Sequence, residues 1–311
     1  MTDPEICAAV RQHYGLAVRA VERIDRGSAA LFKLYGSEAA FILKVFQPKF
    51  RADSILREVH VTDFLRQNGI SVPEYIPCRN GDFYFMQNGR IAILQAFIPG
   101  QTREKGCCSK RELLDSARLL AQIVNALEHY PYNDLLPCEI SRYGSAARLL
   151  QAKTAYADLM VAARTDAVHG AEICRDLQDR LVMIARVSDA GAFVNTNALT
   201  LKRSHGDYSV MQLLYDGAEI KAVLDFVNAG EVPIAWELIR SYSYMDRTFN
   251  AARLAAYTNE YRRYADLSLD DLRYLQTGDE ELLAFGQWRT EMCRYLMANA
   301  GEISAELVRL A

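Results

Sequence analysis

The spacing of apolar positions changes character repeatedly along the chain, and the changes divide it. Residues 4–14 carry a short helical pattern, with Asp3 placed as N-cap and Pro4 at the first helical position. From about 17 to 47 the period shortens to that of strands. Val18, Val21 and Ile24 precede Arg26-Gly27-Ser28, then come Ala30–Tyr35, a Gly36-Ser37 turn and Phe41–Phe46. Residues 52–68 read as a helix closed by Gly69 and Pro73, and strands at 82–87 and 90–95 flank the turn signal Asn88-Gly89. Consecutive short strands joined by near turns predict an antiparallel sheet.

Beyond Pro99-Gly100 the pattern is mostly helical. Helices are predicted at 111–129, 143–163 and 170–187, then at about 234–247, 249–265, 269–276, 279–297 and 301–310. A single interruption falls between these groups. Leu199-Thr200-Leu201 reads as a strand, followed by a hairpin of Leu213–Tyr215 and Ile220–Leu224 around Asp216-Gly217. No strand is expected after Asp225. The expected class is α+β, a small antiparallel-sheet lobe followed by a large, mainly helical one.

Four polar positions stand against this apolar pattern. Lys44 alternates with Ile42 and Phe46, so its amine shares a face with two hydrophobes and needs an anionic partner if that face is covered. Glu58 is the only glutamate of the 52–68 helix, and it would meet Lys44 if that helix packs on the sheet. Asp207 and Asp225 flank the hairpin, which folds its ends together. Two carboxylates held close require a proton or cation between them, and Mg²⁺ held by oxygen ligands is the usual one in phosphoryl transfer. His60, His129 and His169 read as ordinary helix or loop histidines.

Size and composition add boundaries. A chain of 311 residues accommodates two lobes, and 50% hydrophobic with 24% charged residues is the balance of a soluble globular protein. A net charge of −3 supplies no general attraction to nucleic acid or anionic membrane. The seven cysteines are odd in number and form no C-x-x-C pair, which favours a reducing, cytoplasmic setting over a disulfide framework. The N-terminal residues lack a basic segment followed by an apolar run, and no stretch approaches a membrane span.

Taken in order, His205-Gly206-Asp207, Gln212, Asp225-Phe226 and Trp236-Glu237-Leu238 resemble the catalytic half of the aminoglycoside phosphotransferase family, which shares the protein-kinase-like fold with choline and homoserine-type kinases. The resemblance spans roughly residues 15–245. It implies a lobe at 1–94, a hinge at 95–100 matching Gln95–Gly100, and a helical lobe at 101–311 carrying the catalytic loop and metal-binding hairpin. By the same resemblance Asp207 would orient or accept the proton of a substrate hydroxyl, and Asp225 with Gln212 would hold Mg²⁺. Lys44, supported by Glu58, would contact nucleotide phosphates, with Gly27 and Ser28 in the covering turn. Backbone groups of Ala96 and Ile98 would meet the base, and His205 would order the loop. The implied activity is transfer of the γ-phosphate of ATP or GTP to a hydroxyl of a small molecule, such as an antibiotic, a sugar or an amino alcohol.

This chain departs from the family pattern at identifiable places. Gln212 stands where Asn is usual, Glu237 where Asp is usual, and Ala96 where an acidic hinge residue is common. The first of these bears on the second metal position, and a non-catalytic binding module is the alternative it leaves open. Only about eight residues separate Asp225 from the helix opening near Ile234, too few for a long activation segment of the protein-kinase kind.

Overall fold

A computed structural model of the chain describes residues 2–24, 29–139, 146–167, 170–189, 198–246 and 250–277. It divides into two compact units. One comprises residues 1–137, 202–232 and 244–266; the other comprises 138–201, 233–243 and 267–311. The helices predicted at 279–297 and 301–310 lie outside the described residues, as do His169 and Cys293.

The first unit is built on a six-stranded antiparallel sheet. Its strands are β1 (Ala20–Ile24), β2 (Ala30–Tyr35), β3 (Ala40–Val45), β4 (Tyr75–Ile76), β5 (Phe85–Gln87) and β6 (Arg90–Ala96). The order is β1-β2-β3-β6-β4, with β5 also paired to β6. Asn88 (φ 51°) and Gly89 (φ 72°) both take the left-handed conformation that lets a two-residue turn follow the twist of its strands. The two-residue β4, between Pro73 and Pro77, is a strand that alternation could not show.

Both faces of this sheet are covered, and β3 is accordingly buried along most of its length. Helix α1 (Asp3–Tyr14), capped by Thr2 rather than Asp3, sets Ile6, Ala9, Val10 and Tyr14 against Phe32, Leu34, Leu43 and Val45. Helix α2 (Ala52–Gln67) sets Ile55 and Val59 against Phe46, Tyr75, Ile91 and Ile93 on the opposite face. Strand parity thus decides the fate of Lys44. Leu43 and Val45 belong to the first core, and Lys44 points with Ile42 and Phe46 toward the α2 side.

The same unit contains α3 (Lys110–Glu128), opened by a capping box between Ser109 and Glu112. Leu113, Leu120, Val124 and Leu127 are fully buried along its inner face. The later segments supply β7 (Leu201–Ser204), the hairpin β8 (Leu213–Asp216) and β9 (Glu219–Val223), and β10 (Gly230–Pro233), which pairs with β7. Strand β10 corrects the expectation of no strand after Asp225. Its sequence Gly-Glu-Val-Pro has little strand propensity, and pairing to β7 overrides it.

In the second unit α4 (Ala146–Ala163) packs on α5 (Gly170–Asp189), burying Tyr156, Leu159, Ile173 and Leu177. Helices α6 (Ile234–Met245), α7 (Ala251–Arg262) and α8 (Leu269–Thr277) follow in the chain. No described helix is long and apolar enough to cross a membrane. The six described cysteines are free thiols.

One backbone crossing fixes the segment between β7 and β8. Gly206 has φ +76°, and a Cβ placed on it would lie 2.0 Å from the carbonyl oxygen of Asn228. Neither the conformation nor the space admits a side chain. Gly206→Ala is therefore expected to displace the 205–207 backbone or to lower stability by about 2 kcal/mol or more. Urea denaturation together with the amide spectrum of the 204–228 region checks this. A variant with unchanged midpoint and unchanged spectrum would show that the crossing is not needed.

Candidate active site

Lys44 lies at the meeting point of three elements. Its Nζ is 3.1 Å from Glu58 Oε1 and 3.4 Å from Oε2, on α2, and 2.6 Å from Asp225 Oδ1, which follows β9. The ammonium also sits 4.7 Å from the centroid of the Phe46 ring. Burial alone would drive the amine toward its neutral form. Glu58 and Asp225 outweigh burial, and the Lys44 pKa is raised above its ordinary value. Glu58 is completely buried, which pushes its carboxyl upward while Lys44 and the Tyr75 hydroxyl act in the opposite sense. Tyr75 donates to Glu58 Oε1 at 2.7 Å.

Helix α2 also reaches the Asp225 segment directly. Arg57, beside Glu58, is 7% exposed, and its guanidinium donates to the carbonyls of Val227 (3.0 Å) and Asp134 (3.3 Å). Val227 itself joins the apolar cluster of Phe46, Ile55, Val59 and Tyr75. Asp225 has a left-handed backbone (φ 67°, ψ 61°) and leads into a single 3-10 turn, Phe226–Asn228. Asp and Asn enter that region more readily than larger residues.

The loop after β7 is organised by His205, which is fully buried. The backbone N–H of Asp207 donates to His205 Nδ1 at 3.2 Å, so that nitrogen is unprotonated. Nε2 then carries the proton and donates to the Leu224 carbonyl at 2.8 Å. One imidazole thus ties the residue before Asp225 to the backbone of Asp207. Its ring packs on Phe226, with centroids 4.4 Å apart. Tyr208 anchors the loop from below, its hydroxyl donating to the Ser116 carbonyl of α3 at 3.0 Å.

Gln212 closes the circuit. Its Nε2 donates to Asp207 Oδ2 at 3.3 Å, and its backbone carbonyl accepts from Leu224 N–H at 2.8 Å. The hairpin therefore joins the Asp207 and Asp225 segments through Gln212 and His205. Asp225 Oδ1 is engaged by Lys44, and its side chain is 33% exposed. Among the described residues no cluster of three or more His, Cys, Asp or Glu could hold a metal by itself. The Asp225 carboxylate and the Gln212 amide oxygen are hard oxygen donors, the ligand type that Mg²⁺ accepts alongside phosphate and water.

The remaining sequence-derived residues divide. Gly27 and Ser28 lie outside the described residues. The N–H of Ala96 donates to the Glu74 carbonyl at 2.8 Å, whereas that of Ile98 has no backbone partner among the described residues. His60 pairs with Asp134 at 3.1 Å. Sequence reasoning missed Tyr75 and Arg57. Nothing local marks either, because their partners are 17 and 170 positions away.

The model of the phosphotransferase enzyme family matches residues 20–267. We find no sequence match among curated proteins. Among solved structures, a spectinomycin phosphotransferase in complex with ADP and spectinomycin aligns with a TM-score of 0.68 at 11% identity, over 92% of this chain and 88% of that one. An aminoglycoside phosphotransferase from Alicyclobacillus acidocaldarius aligns at 0.60 and 15% identity, over 100% and 96%. A macrolide 2'-phosphotransferase from Brachybacterium faecium aligns at 0.56 and 14%, over 98% and 95%. At such identities the structures speak for the fold, which is α+β and kinase-like, and the family match speaks for the lineage: the chain belongs to the phosphotransferase enzyme family.

Proposed function

We propose that this protein transfers the γ-phosphoryl group of ATP or GTP to a hydroxyl of a small molecule, with Mg²⁺. The observation that carries the reading is the Lys44 ammonium held between a buried Glu58 and Asp225, with Asp207 joined to the same hairpin through His205 and Gln212. On this reading residues 1–94 cover the nucleotide, 95–100 form the hinge and 101–311 carry the catalytic loop and metal-binding hairpin. The N–H of Ile98 and a backbone group of Ala96 would meet the base, and Gly27 and Ser28 would cover the phosphates. Kinase-like relatives bound to ADP and spectinomycin, or to AMP-PNP, Ca²⁺ and an acceptor, support a nucleotide and a small acceptor as the two substrates.

Asp225 and Gln212 would hold the metal. When bound, it would neutralise phosphate charge and orient the γ-phosphoryl group. The chain's own residues then divide the work. Lys44 binds the earlier phosphates, kept in place by Glu58. Asp207, fixed in orientation by the Gln212 amide, accepts the proton of the acceptor hydroxyl as its oxygen bonds to the γ-phosphorus. The bond from that phosphorus to the β-bridging oxygen breaks, and the nucleoside diphosphate leaves. His205 stays neutral and positions the Asp207 backbone. The acceptors named for relatives range from spectinomycin to macrolides and aminopropanol, so the fold does not choose one.

The reading is tested first by thermal unfolding with ATP, GTP and non-hydrolysable analogues, with and without Mg²⁺. A rise in Tm requiring nucleotide and Mg²⁺ together is expected, by mass action on the native state. No rise with any pair would favour a binding module without turnover. Asp207→Ala is expected to lower kcat by about 10²-fold or more while nucleotide affinity stays within about threefold. Full turnover in that variant would remove the base assignment. Asp225→Asn retains a residue suited to the left-handed backbone, so its expected loss of Mg²⁺-dependent nucleotide affinity reports chemistry rather than strain. Metal-linked affinity equal to wild type would exclude Asp225 as a ligand.

A further inference from the structure

Among the described residues Tyr75 is the neutral side-chain donor in the Lys44 cluster, and the nucleotide reading above gives it no task. It sits on the two-residue β4, paired with Gln95 of β6, and is 8% exposed. Its ring packs with Phe46, Ile55, Val59 and Ile93, and its hydroxyl crosses from sheet to helix to reach Glu58 Oε1 at 2.7 Å. Burial and the adjacent Glu58 carboxylate push the phenol well above its ordinary range, so it is present as the O–H donor.

The geometry of Glu58 shows why a second donor matters. Lys44 Nζ approaches both Glu58 oxygens, at 3.1 and 3.4 Å, but is closer to Asp225 at 2.6 Å. With Lys44 as sole partner, the carboxylate could turn about its last torsion and follow the ammonium. The Tyr75 hydroxyl, approaching from β4, pins Oε1 and removes that freedom. Glu58 is fully buried, so water does not substitute for a lost donor without opening the core.

We propose that Tyr75 is a positioning residue for nucleotide binding: it fixes Glu58 so that Lys44 is held toward the phosphate position rather than surrendered to Asp225. The inference rests on Lys44 as the phosphate-binding lysine. Tyr75 touches neither nucleotide nor metal and acts through Glu58 alone.

Tyr75→Phe tests this, because it deletes one oxygen and keeps the ring in its apolar surroundings. The dissociation constant of ATP with Mg²⁺, measured by calorimetry without acceptor, is expected to rise about tenfold, the effect of one hydrogen bond to a charged group. In a Lys44→Met background the same substitution is expected to change affinity less than about twofold, since the lysine through which Tyr75 acts is gone. A urea midpoint for Tyr75→Phe, taken alongside, separates stability from binding. Lower stability with wild-type nucleotide affinity would make Tyr75 merely structural and overturn the proposal. So would an equal loss of affinity with and without Lys44. Wild-type protein that binds no nucleotide at all would overturn the reading on which the proposal stands, and the proposal with it; wild-type binding weakened by Lys44→Met but not by Tyr75→Phe would overturn the proposal alone.

Discussion

A single ammonium, buried between two carboxylates from distant parts of the chain, is the constraint on which this site depends. Glu58 is 14 positions from Lys44 and Asp225 is 181. Burying such charges is costly unless they are matched, so removal of Lys44 would leave two carboxylates without their cation, one of them fully buried. The surrounding structure is arranged around that requirement. β3 is covered on both faces, parity turns Lys44 toward α2, and α2 delivers Glu58 to one side while Arg57 grips the Val227 carbonyl beyond Asp225. Helix and loop are thereby tied to the sheet by polar contacts as well as by the apolar cluster they share.

Much of this arrangement is legible in the sequence itself. Alternation around Lys44 marks a charged residue on an apolar face, Glu58 is the one glutamate of the helix that follows, and Asp216-Gly217 marks the hairpin that joins the Asp207 and Asp225 segments. What is not legible depends on contacts without local cause. Tyr75 lies in a two-residue strand between prolines, too short for any period to register. β10 contains glycine and proline, and exists because β7 lies beside it. Asp225 adopts a left-handed backbone that no flanking residue announces, and the hydrogen bonds of His205 become visible only once Leu224 and Asp207 have come within reach of one ring.

His205 and Gly206 divide a task that the sequence presents as one motif. The imidazole, neutral because Nδ1 accepts and Nε2 donates, is a rigid strut between two backbone segments. The glycine lets the chain pass the Asn228 carbonyl where no side chain fits. Together they set the backbone of Asp207 relative to that of Asp225 independently of any bound substrate. On the proposed function this is the preorganisation that positional catalysis requires.

The short contact between Lys44 and Asp225 has a consequence for how a divalent ion would arrive. A cation reaching Asp225 would not enter an empty acidic site; it would displace a positive charge already seated there. Binding would then be an ion exchange within the protein, in which the departing ammonium would need new anionic partners at the same moment. On the proposed function, nucleotide phosphates would supply them while Glu58 retains the other side. Metal alone would compete against an intact internal counter-ion, whereas metal carried in with phosphate releases that counter-ion to a new acceptor. On that reading the two ligands would be coupled through one side chain.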